Sequence, residues 1–345
     1  MSQYVILAHE AFDYIYSKTG NMLIRYRPDN VVAIIDASKA GKTSEQILGW
    51  GGDIPCVASF DEAKSFSPSH LVIGNAPQGG RLDKKSLYEI RAAIDYGCDI
   101  INGMHEFLND NDNIVAFANS NGVNLIDLRR PPNPRHFPKG TWKKRKFPVL
   151  LVVGSDCDTG KMTTAWEIYC LLKKRKINVE FLATGQTGIL LSGNGVPVDA
   201  VRADFMAGEV EYCLDNFSKK TELVIVEGQG ALNNMFYSGV TLGLLHGSMP
   251  DYLIMTHEPG RTMDVANYPI PKLETIMKTY IDLLGLFKTS KFLGINLLTI
   301  KLNRIEALNK IESLKASYNL PVTDLVRFSD SLIIEKILNE IIKWK

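Results

Sequence analysis

The sequence has few features of specialised protein classes. Its five cysteines are odd in number and never form a C-x-x-C pair, so they predict neither a disulfide framework nor a zinc site. No apolar run approaches the ~20 residues that a membrane-spanning helix requires. The first residues lack the basic flank and long apolar core of a signal peptide. We therefore expect a cytoplasmic protein without a membrane partner.

The charge balance is also unspecialised. Lys and Arg number 39 against 38 Asp and Glu, which gives no electrostatic footprint for nucleic acid. The 345 residues are 45% hydrophobic and 22% charged, as expected of a globular chain with room for two domains. We expect a small-molecule substrate, no nucleic-acid partner, and a homo-oligomer.

The first 130 residues alternate short apolar runs with helical patterns. This alternation predicts a parallel sheet covered by helices, and so a Rossmann-like domain over residues 1–130. The first predicted strand leads into HEAFDYIYSKTG instead of a G-x-G-x-x-G turn, which argues against NAD binding. Predicted strands span residues 4–8, 31–36, 56–58, 71–74, 100–102 and 124–127, and the clearest predicted helices span 84–96 and 113–120.

Two loops of this half follow predicted strands, at the edge where open α/β sheets bind ligands. They read NAPQGG at residues 75–80 and GMHE at residues 103–106. His105 in the second loop is a candidate catalytic residue, and a turn or capping role is the equal alternative. The string AGKTS at residues 40–44 lacks the upstream glycine of a P-loop, so we interpret it as a loop that opens a helix.

Proline and basic residues are concentrated between the two halves. Residues 129–148 contain five prolines and eight Lys or Arg. Because proline fixes φ and donates no backbone hydrogen bond, we predict an interdomain linker over residues 131–147. The basic cluster within it, residues 143–146, is expected to be solvated.

Residues 149–164 read VLLVVGSDCDTGKMTT, and the functional interpretation depends on them. Five apolar residues predict a buried strand, a glycine-rich turn follows, and Lys161 opens a helical segment. In such a P-loop, inward-facing N–H groups and the helix N-terminus attract anions, and the lysine reaches the bound phosphates. We predict phosphate or pyrophosphate binding by Gly154, Ser155, Asp156, Cys157, Asp158, Thr159, Gly160, Lys161, Met162 and Thr163.

This P-loop motif is irregular. Five residues instead of four separate Gly154 from Gly160, and Met162 replaces the Ser or Thr that normally binds magnesium. Thr163 is the nearest hydroxyl. The longer spacing resembles the loop of dethiobiotin synthetase and its relatives.

Further polar residues border predicted strands in residues 148–345, which we interpret as a P-loop domain. Glu227 ends a strand predicted at 222–226, where P-loop proteins place a carboxylate that coordinates magnesium or its water. Its E-G-x-G string resembles dethiobiotin synthetase and cobyrinate amidation enzymes. His246 precedes a strand predicted at 252–255, and His257 and Arg261 follow it. Other predicted elements are strands at 178–183, 293–298 and 321–327, a helix through residue 216, and a last helix at 331–345.

Seven strings occur in order across nearly the whole chain: AGKT (40–43), PQGG (77–80), GMHEFL (103–108), DLRRPP (127–132), residues 154–164, EGQG (227–230) and HGSMPD (246–251). Together they resemble the D-glutamate N-acetyltransferase-like family. The resemblance implies a Rossmann-like N-terminal domain, a P-loop C-terminal domain, and acetyl transfer from acetyl-CoA to D-glutamate or a related acidic amino acid.

Acetylation of an amine requires a base and donors for the thioester oxyanion. The candidate bases are His246, His257 and His105, in that order, and Arg261 or Lys161 would stabilise anionic groups. Three alternatives stay open. An ATP-dependent carboxylate-activating ligase would use Thr163 and Glu227 as magnesium ligands, a nucleotide-sensing protein would bind without turnover, and Cys157 near a helix N-terminus could carry the acyl group.

Overall fold

Two parallel sheets result from this alternation of apolar strands and helices. The computed structural model describes residues 2–14, 16–75, 82–328 and 332–344. The chain divides into two units, Met1–Arg130 with Ile189–Leu191 and Pro131–Gly188 with Ser192–Lys345. The predicted fold class, two α/β domains with doubly wound parallel sheets, is confirmed.

The first unit has a Rossmann-type sheet. Its strands are β1 (Tyr4–Leu7), β2 (Val31–Ile35), β3 (Cys56–Val57), β4 (His70–Ile73), β5 (Asp99–Asn102) and β6 (Leu125–Asp127), and its helices are α1 (Lys18–Tyr26), α2 (Ser44–Leu48), α3 (Phe60–Ala63), α4 (Lys84–Tyr96) and α5 (Asp112–Ser120). Within the described residues, the parallel strands lie in the order β3-β2-β1-β4-β5-β6. Every residue of β1 is buried, as expected of a central strand with both faces covered.

The second unit is built around the P-loop strand. Its strands are β7 (Val149–Gly154), β8 (Val179–Leu182), β9 (Leu223–Val226), β10 (Tyr252–His257), β11 (Lys291–Leu297) and β12 (Val322–Thr323), and its helices are α6 (Lys161–Lys174), α7 (Gln186–Ser192), α8 (Ala203–Asp215), α9 (Ser238–Ser248), α10 (Leu273–Gly285), α11 (Arg304–Tyr318), α12 (Leu325–Phe328) and α13 (Leu332–Trp344). In the described chain these parallel strands lie in the order β12-β11-β10-β7-β9-β8. The buried strand β7 lies between β9 and β10, where the order of strands in the sheet reverses direction. Parallel sheets bind ligands at the carboxyl ends of the strands at such a switch point.

Most predicted elements match the structure within a few residues, and two differ. The strand predicted at 321–327 is wrong beyond Thr323, because Asp324 accepts hydrogen bonds from the amides of Val326 and Arg327 and starts α12. The loop predicted after β8 becomes helical at Gln186. None of the helices in the described ranges has the length and apolar character that crossing a bilayer would demand.

The proline-rich segment (residues 131–147) is fastened to α8. Glu209 accepts from the His136 amide at 2.6 Å and lies 2.9 Å from its Nδ1, and the His136 ring stacks on Tyr212 at 3.5 Å. Glu211 accepts from the amides of Lys139 and Thr141. The segment that the sequence predicts as a linker therefore belongs to the second unit.

The basic cluster is not uniformly solvated either. Arg145 Nη1 donates to the Ser248 carbonyl at 2.7 Å, and burial lowers the pKa of the Arg145 guanidinium. Arg145 therefore fixes the segment immediately before β7.

Candidate functional site

The P-loop lies at the carboxyl end of β7, as predicted. Its glycines are required by its shape. A Cβ at Gly154 would lie 2.6 Å from Thr159 Oγ1, 2.9 Å from the Asp156 carbonyl and 2.9 Å from Lys161 Nζ. Gly160 has a φ of +88°, in the region that favours glycine. The loop consequently folds over its own beginning before α6 starts.

The lysine ammonium lies inside this fold. Lys161 Nζ donates to the Asp156 carbonyl at 2.7 Å, and the lysine side chain is buried. Thr159 Oγ1 also donates to that carbonyl, at 3.1 Å, and lies 2.7 Å from Thr256 Oγ1 at the end of β10. A positive charge is thus held beside the N-terminus of α6, where anions are favoured by the helix dipole and its first amides.

The side chain of Asp156 stabilises the P-loop. Its side chain is fully buried, and its carboxylate pairs with Arg261 Nη2 at 2.7 Å. It also accepts from Asn234 Nδ2 at 2.9 Å and from the Val265 amide at 3.0 Å. Asp156 is predicted to bind the cofactor, but in the structure its carboxylate contacts other residues of the protein.

Arg261 is a positioning residue in this geometry. Besides Asp156, its Nη1 donates to the Cys157 carbonyl at 2.9 Å and lies 3.5 Å from the Glu258 carboxylate. A buried carboxylate needs such a partner, since an unpaired charge in the interior is costly. Arg261 therefore contacts the P-loop itself, and its role in stabilising a bound anionic group stays a prediction.

His257 lies beside the loop at the end of β10. Its Nδ1 hydrogen-bonds Ser155 Oγ at 2.9 Å, and the Ser155 amide donates to the Thr256 carbonyl at 2.9 Å. Burial, reinforced by the positive charges of Lys310 and Arg261 and opposed by Glu258, lowers the pKa of His257 to about 4. The imidazole is therefore neutral near neutral pH, and neutral imidazole is the form that can accept a proton.

Glu227 ends β9 next to the P-loop. Its carboxylate accepts from the amides of Thr184 at 2.9 Å and Gly185 at 3.3 Å, which ties β9 to the loop after β8. A Cβ at the next residue, Gly228, would overlap the Val152 carbonyl and lie 3.1 Å from Lys161 Cδ. The E-G-x-G turn thus packs directly against the stem of Lys161.

The residues at the start of α6 differ in exposure. Met162 is buried and Thr163 is half-buried, while Cys157 and Asp158 lie on the outer part of the loop, Asp158 with a φ of +55°. As magnesium ligands, Thr163 and Glu227 stay a prediction.

His246, one of the candidate bases, lies elsewhere in the second unit. His246 is in the last turn of α9, immediately before β10, so it lies at the amino edge of the sheet, whereas the P-loop is at the carboxyl edge. Its ring packs against Phe287, 5.4 Å away, and burial lowers its pKa. The position of His246 at the opposite edge of the sheet argues against it as the base for chemistry at the P-loop.

His105 follows β5 in the first unit. Burial, with a smaller contribution from Arg129, lowers its pKa. Its catalytic role stays a prediction, and the predicted loop residues 76–80 lie outside the described residues.

The sequence motifs do not reveal several residues that surround the P-loop. Asn233 Nδ2 donates to the Ser155 carbonyl at 2.9 Å, and Asn234 bridges Asp156 and Asp264, the latter at 3.3 Å. Lys301 pairs with Glu258 at 2.6 Å. The adjacent asparagines after E-G-x-G were a visible signal, but their partner loop is 78 positions away in sequence.

Family models match both halves of the chain. Residues 37–131 match a domain of unknown function described as DUF1611_N, Rossmann-like domain, and residues 136–334 match DUF1611_C, P-loop domain. The chain belongs to the DUF1611 family. A crystal structure of a DUF1611 family protein from Anabaena variabilis is 34% identical, covers 98% of this chain and 100% of its own, and superposes with a TM-score of 0.93.

Curated relatives of this DUF1611 protein carry an enzyme name. D-glutamate N-acetyltransferase of Tritonibacter scottomollicae is 34% identical over 337 residues, 96% of this chain and 97% of the relative. D-glutamate N-acetyltransferase of a Pseudoalteromonas species is 38% identical over 273 residues, 78% of this chain and 81% of the relative. The family resemblance expected from the sequence motifs is thereby confirmed.

Proposed function

We propose that this protein transfers the acetyl group of acetyl-CoA to the amine of D-glutamate or a related acidic amino acid. One observation carries the proposal: over most of its length, this P-loop chain is similar to two relatives named D-glutamate N-acetyltransferase. The geometry of the P-loop and of His257 supports it.

The loop between β7 and α6 fits the diphosphate of a coenzyme A thioester. Gly154 keeps the space beside the Lys161 ammonium free of a side chain. Helix α6 begins after Gly160, which provides no side-chain cap for its first amides. Amides of a first helical turn and a lysine ammonium are suitable donors to phosphate oxygens. ATP would satisfy the same donors.

Met162 and Glu227 favour acetyl-CoA over a magnesium nucleotide. Met162 places a buried thioether where P-loops that use magnesium have a hydroxyl. The Glu227 carboxylate already accepts two backbone amides. The alternative, a ligase that uses magnesium and ATP, keeps Thr163 and Glu227 as its candidate ligands.

His257 is our candidate for the group that receives the acceptor's proton. Acetyl-CoA would supply an acyl group activated as a thioester, and an amine attacks its carbonyl carbon only after losing a proton. The new C–N bond replaces the C–S bond, and coenzyme A leaves as a thiol when its sulfur takes up a proton. In the tautomer in which Nδ1–H donates to Ser155 Oγ, His257 Nε2 carries the lone pair that takes this proton. The negative charge of a bound diphosphate would raise the pKa of His257 from about 4 toward the working pH.

Lys310 is suited to an acidic acceptor. It is exposed, and its charge is close enough to His257 to lower the pKa of that imidazole. A carboxylate of the acceptor placed beside Lys310 would bring its amine toward His257.

The test is a thiol-release assay with purified protein, acetyl-CoA and D-glutamate. We expect free thiol only when the amino acid is present, and an N-acetylated product by mass spectrometry. L-Glutamate and D-aspartate define the acceptor, and Mg-ATP with an ADP readout tests the ligase alternative. Lys161→Met should abolish turnover, whereas Lys174→Met, on the exposed end of the same helix, should not. ADP formation, or thiol release by Lys161→Met at the rate of the wild type, would contradict the proposal.

A further inference from the structure

Two segments beside the P-loop expose an unusual number of large apolar side chains. We call them the apolar rim: Met235, Phe236, Tyr237, Met263, Val265 and Tyr268, each 39–62% exposed. Scattered exposed apolar residues are normal, but a group of them at one place marks a binding surface. Nothing in the chemistry proposed for the P-loop uses these side chains.

Both segments of the apolar rim are tied to the same loop residue. Asn234 donates to Asp156 at 2.9 Å, and the Val265 amide donates to the other oxygen of that carboxylate at 3.0 Å. Asn234 also contacts Asp264 at 3.3 Å, and Asp264 accepts from the Tyr268 amide at 2.8 Å. The apolar rim is therefore held next to the beginning of the P-loop.

A buried acceptor atom accompanies the rim. Asn233 Oδ1 is buried and has no hydrogen-bond partner among the residues that the structure describes. Its amide orientation is fixed, because Nδ2 donates to the Ser155 carbonyl, which cannot itself donate. A buried unpaired acceptor is costly, and an N–H group brought by a ligand would satisfy it.

We propose that the apolar rim binds the pantetheine arm of a coenzyme A thioester whose diphosphate lies in the P-loop, which makes this inference dependent on the proposed function. Pantetheine is an uncharged chain with a gem-dimethyl group and two amide N–H donors. The rim offers matching chemistry, since its six side chains are uncharged and two are flexible thioethers. Asn233 Oδ1 would accept from one of the amides.

Phe236→Ala and Tyr268→Ala test the proposal. These side chains are 62% and 55% exposed, so truncation should not disturb folding. The matched control is Leu286→Ala, a 74% exposed residue after α10 at the opposite edge of the sheet. Calorimetry measures the Kd of each variant for acetyl-CoA, for ADP and for inorganic pyrophosphate. Either rim variant should weaken acetyl-CoA binding about tenfold, and change the other two Kd values by less than about twofold.

The outcomes separate this inference from the proposed function. If the wild-type protein binds pyrophosphate but neither binds nor turns over acetyl-CoA, the proposed function fails and the inference fails with it. If the wild-type protein turns over acetyl-CoA and the rim variants match Leu286→Ala, only the inference fails. Equal weakening of ADP would assign the rim to the adenine ring. A changed sedimentation coefficient with unchanged Kd values would make the rim a contact between copies, and either result overturns the proposal.

Discussion

Replacing Arg261 with methionine separates two roles that the sequence could not distinguish. If Arg261 braces the P-loop, Arg261→Met leaves the fully buried Asp156 carboxylate without its cation. If Arg261 instead binds substrate, the variant should keep its stability and lose only activity. The structure favours the brace.

The expected destabilisation follows from the burial of Asp156. Removing one partner of a buried ion pair costs about 3–5 kcal/mol. Asp156 would keep two donors, Asn234 Nδ2 and the Val265 amide, so we expect the lower end, about 3 kcal/mol. For a domain of this size that corresponds to a fall in Tm of about 6–12 °C.

Thermal unfolding followed by circular dichroism measures this change. The control is Arg175→Met, which removes an exposed ion pair with Glu335 of 2.5 Å and should change stability by less than about 1 kcal/mol. Asp156→Asn and the double variant complete a mutant cycle, in which the double variant should be less destabilised than the sum of the single ones. If the Tm of Arg261→Met lies within about 2 °C of the wild type and activity is lost, Arg261 does not stabilise the P-loop through Asp156.

Three further predictions concern neighbouring residues. The folded-state pKa of His257, about 4, lies below its ordinary 6.5. The wild type should therefore lose about 3 kcal/mol of stability as the pH falls from about 6.5 to about 4, because only the unfolded chain is protonated at His257 in this range. In His257→Gln, urea titrations should show a weaker dependence of stability on pH. Gly228→Ala should strongly destabilise the second unit, because its Cβ would overlap the Val152 carbonyl. Soluble yield and Tm measure the effect, and Gly239→Ala is the control because a Cβ at Gly239 would meet open space. Cys157→Ser should keep full thiol-release activity, and a large loss would support a covalent acyl-enzyme.

The local part of the site was predictable from the sequence. A strand of Val and Leu, a glycine turn and a lysine that opens a helix are consecutive in the chain, and the structure places them as β7, the loop and α6. The carboxylate after β9 was found by the same rule, because the carboxyl ends of parallel strands share one edge.

The bracing of the loop was not predictable, because it depends on contacts between distant segments. Nothing in the sequence near Asp156 indicates that Asn234 and Val265 will donate to its carboxylate. The error with His246 was avoidable. A residue that directly precedes a strand of a parallel sheet lies at the amino edge, and the sequence already placed His246 before β10. Helix α9 is largely apolar and has no clear polar face, so the sequence gives little sign that His246 lies in a helix.

The attachment of the proline-rich segment to α8 decides where the second domain can be cut out for separate study. A fragment starting at residue 148 would discard the partners of Glu209 and Glu211 and leave two buried carboxylates without their backbone donors. It would also strip the cover from Gly208, which packs directly against the His136 carbonyl. An isolated P-loop domain should therefore begin at Pro131 or earlier, so that the residues ahead of the first strand of the sheet travel with it.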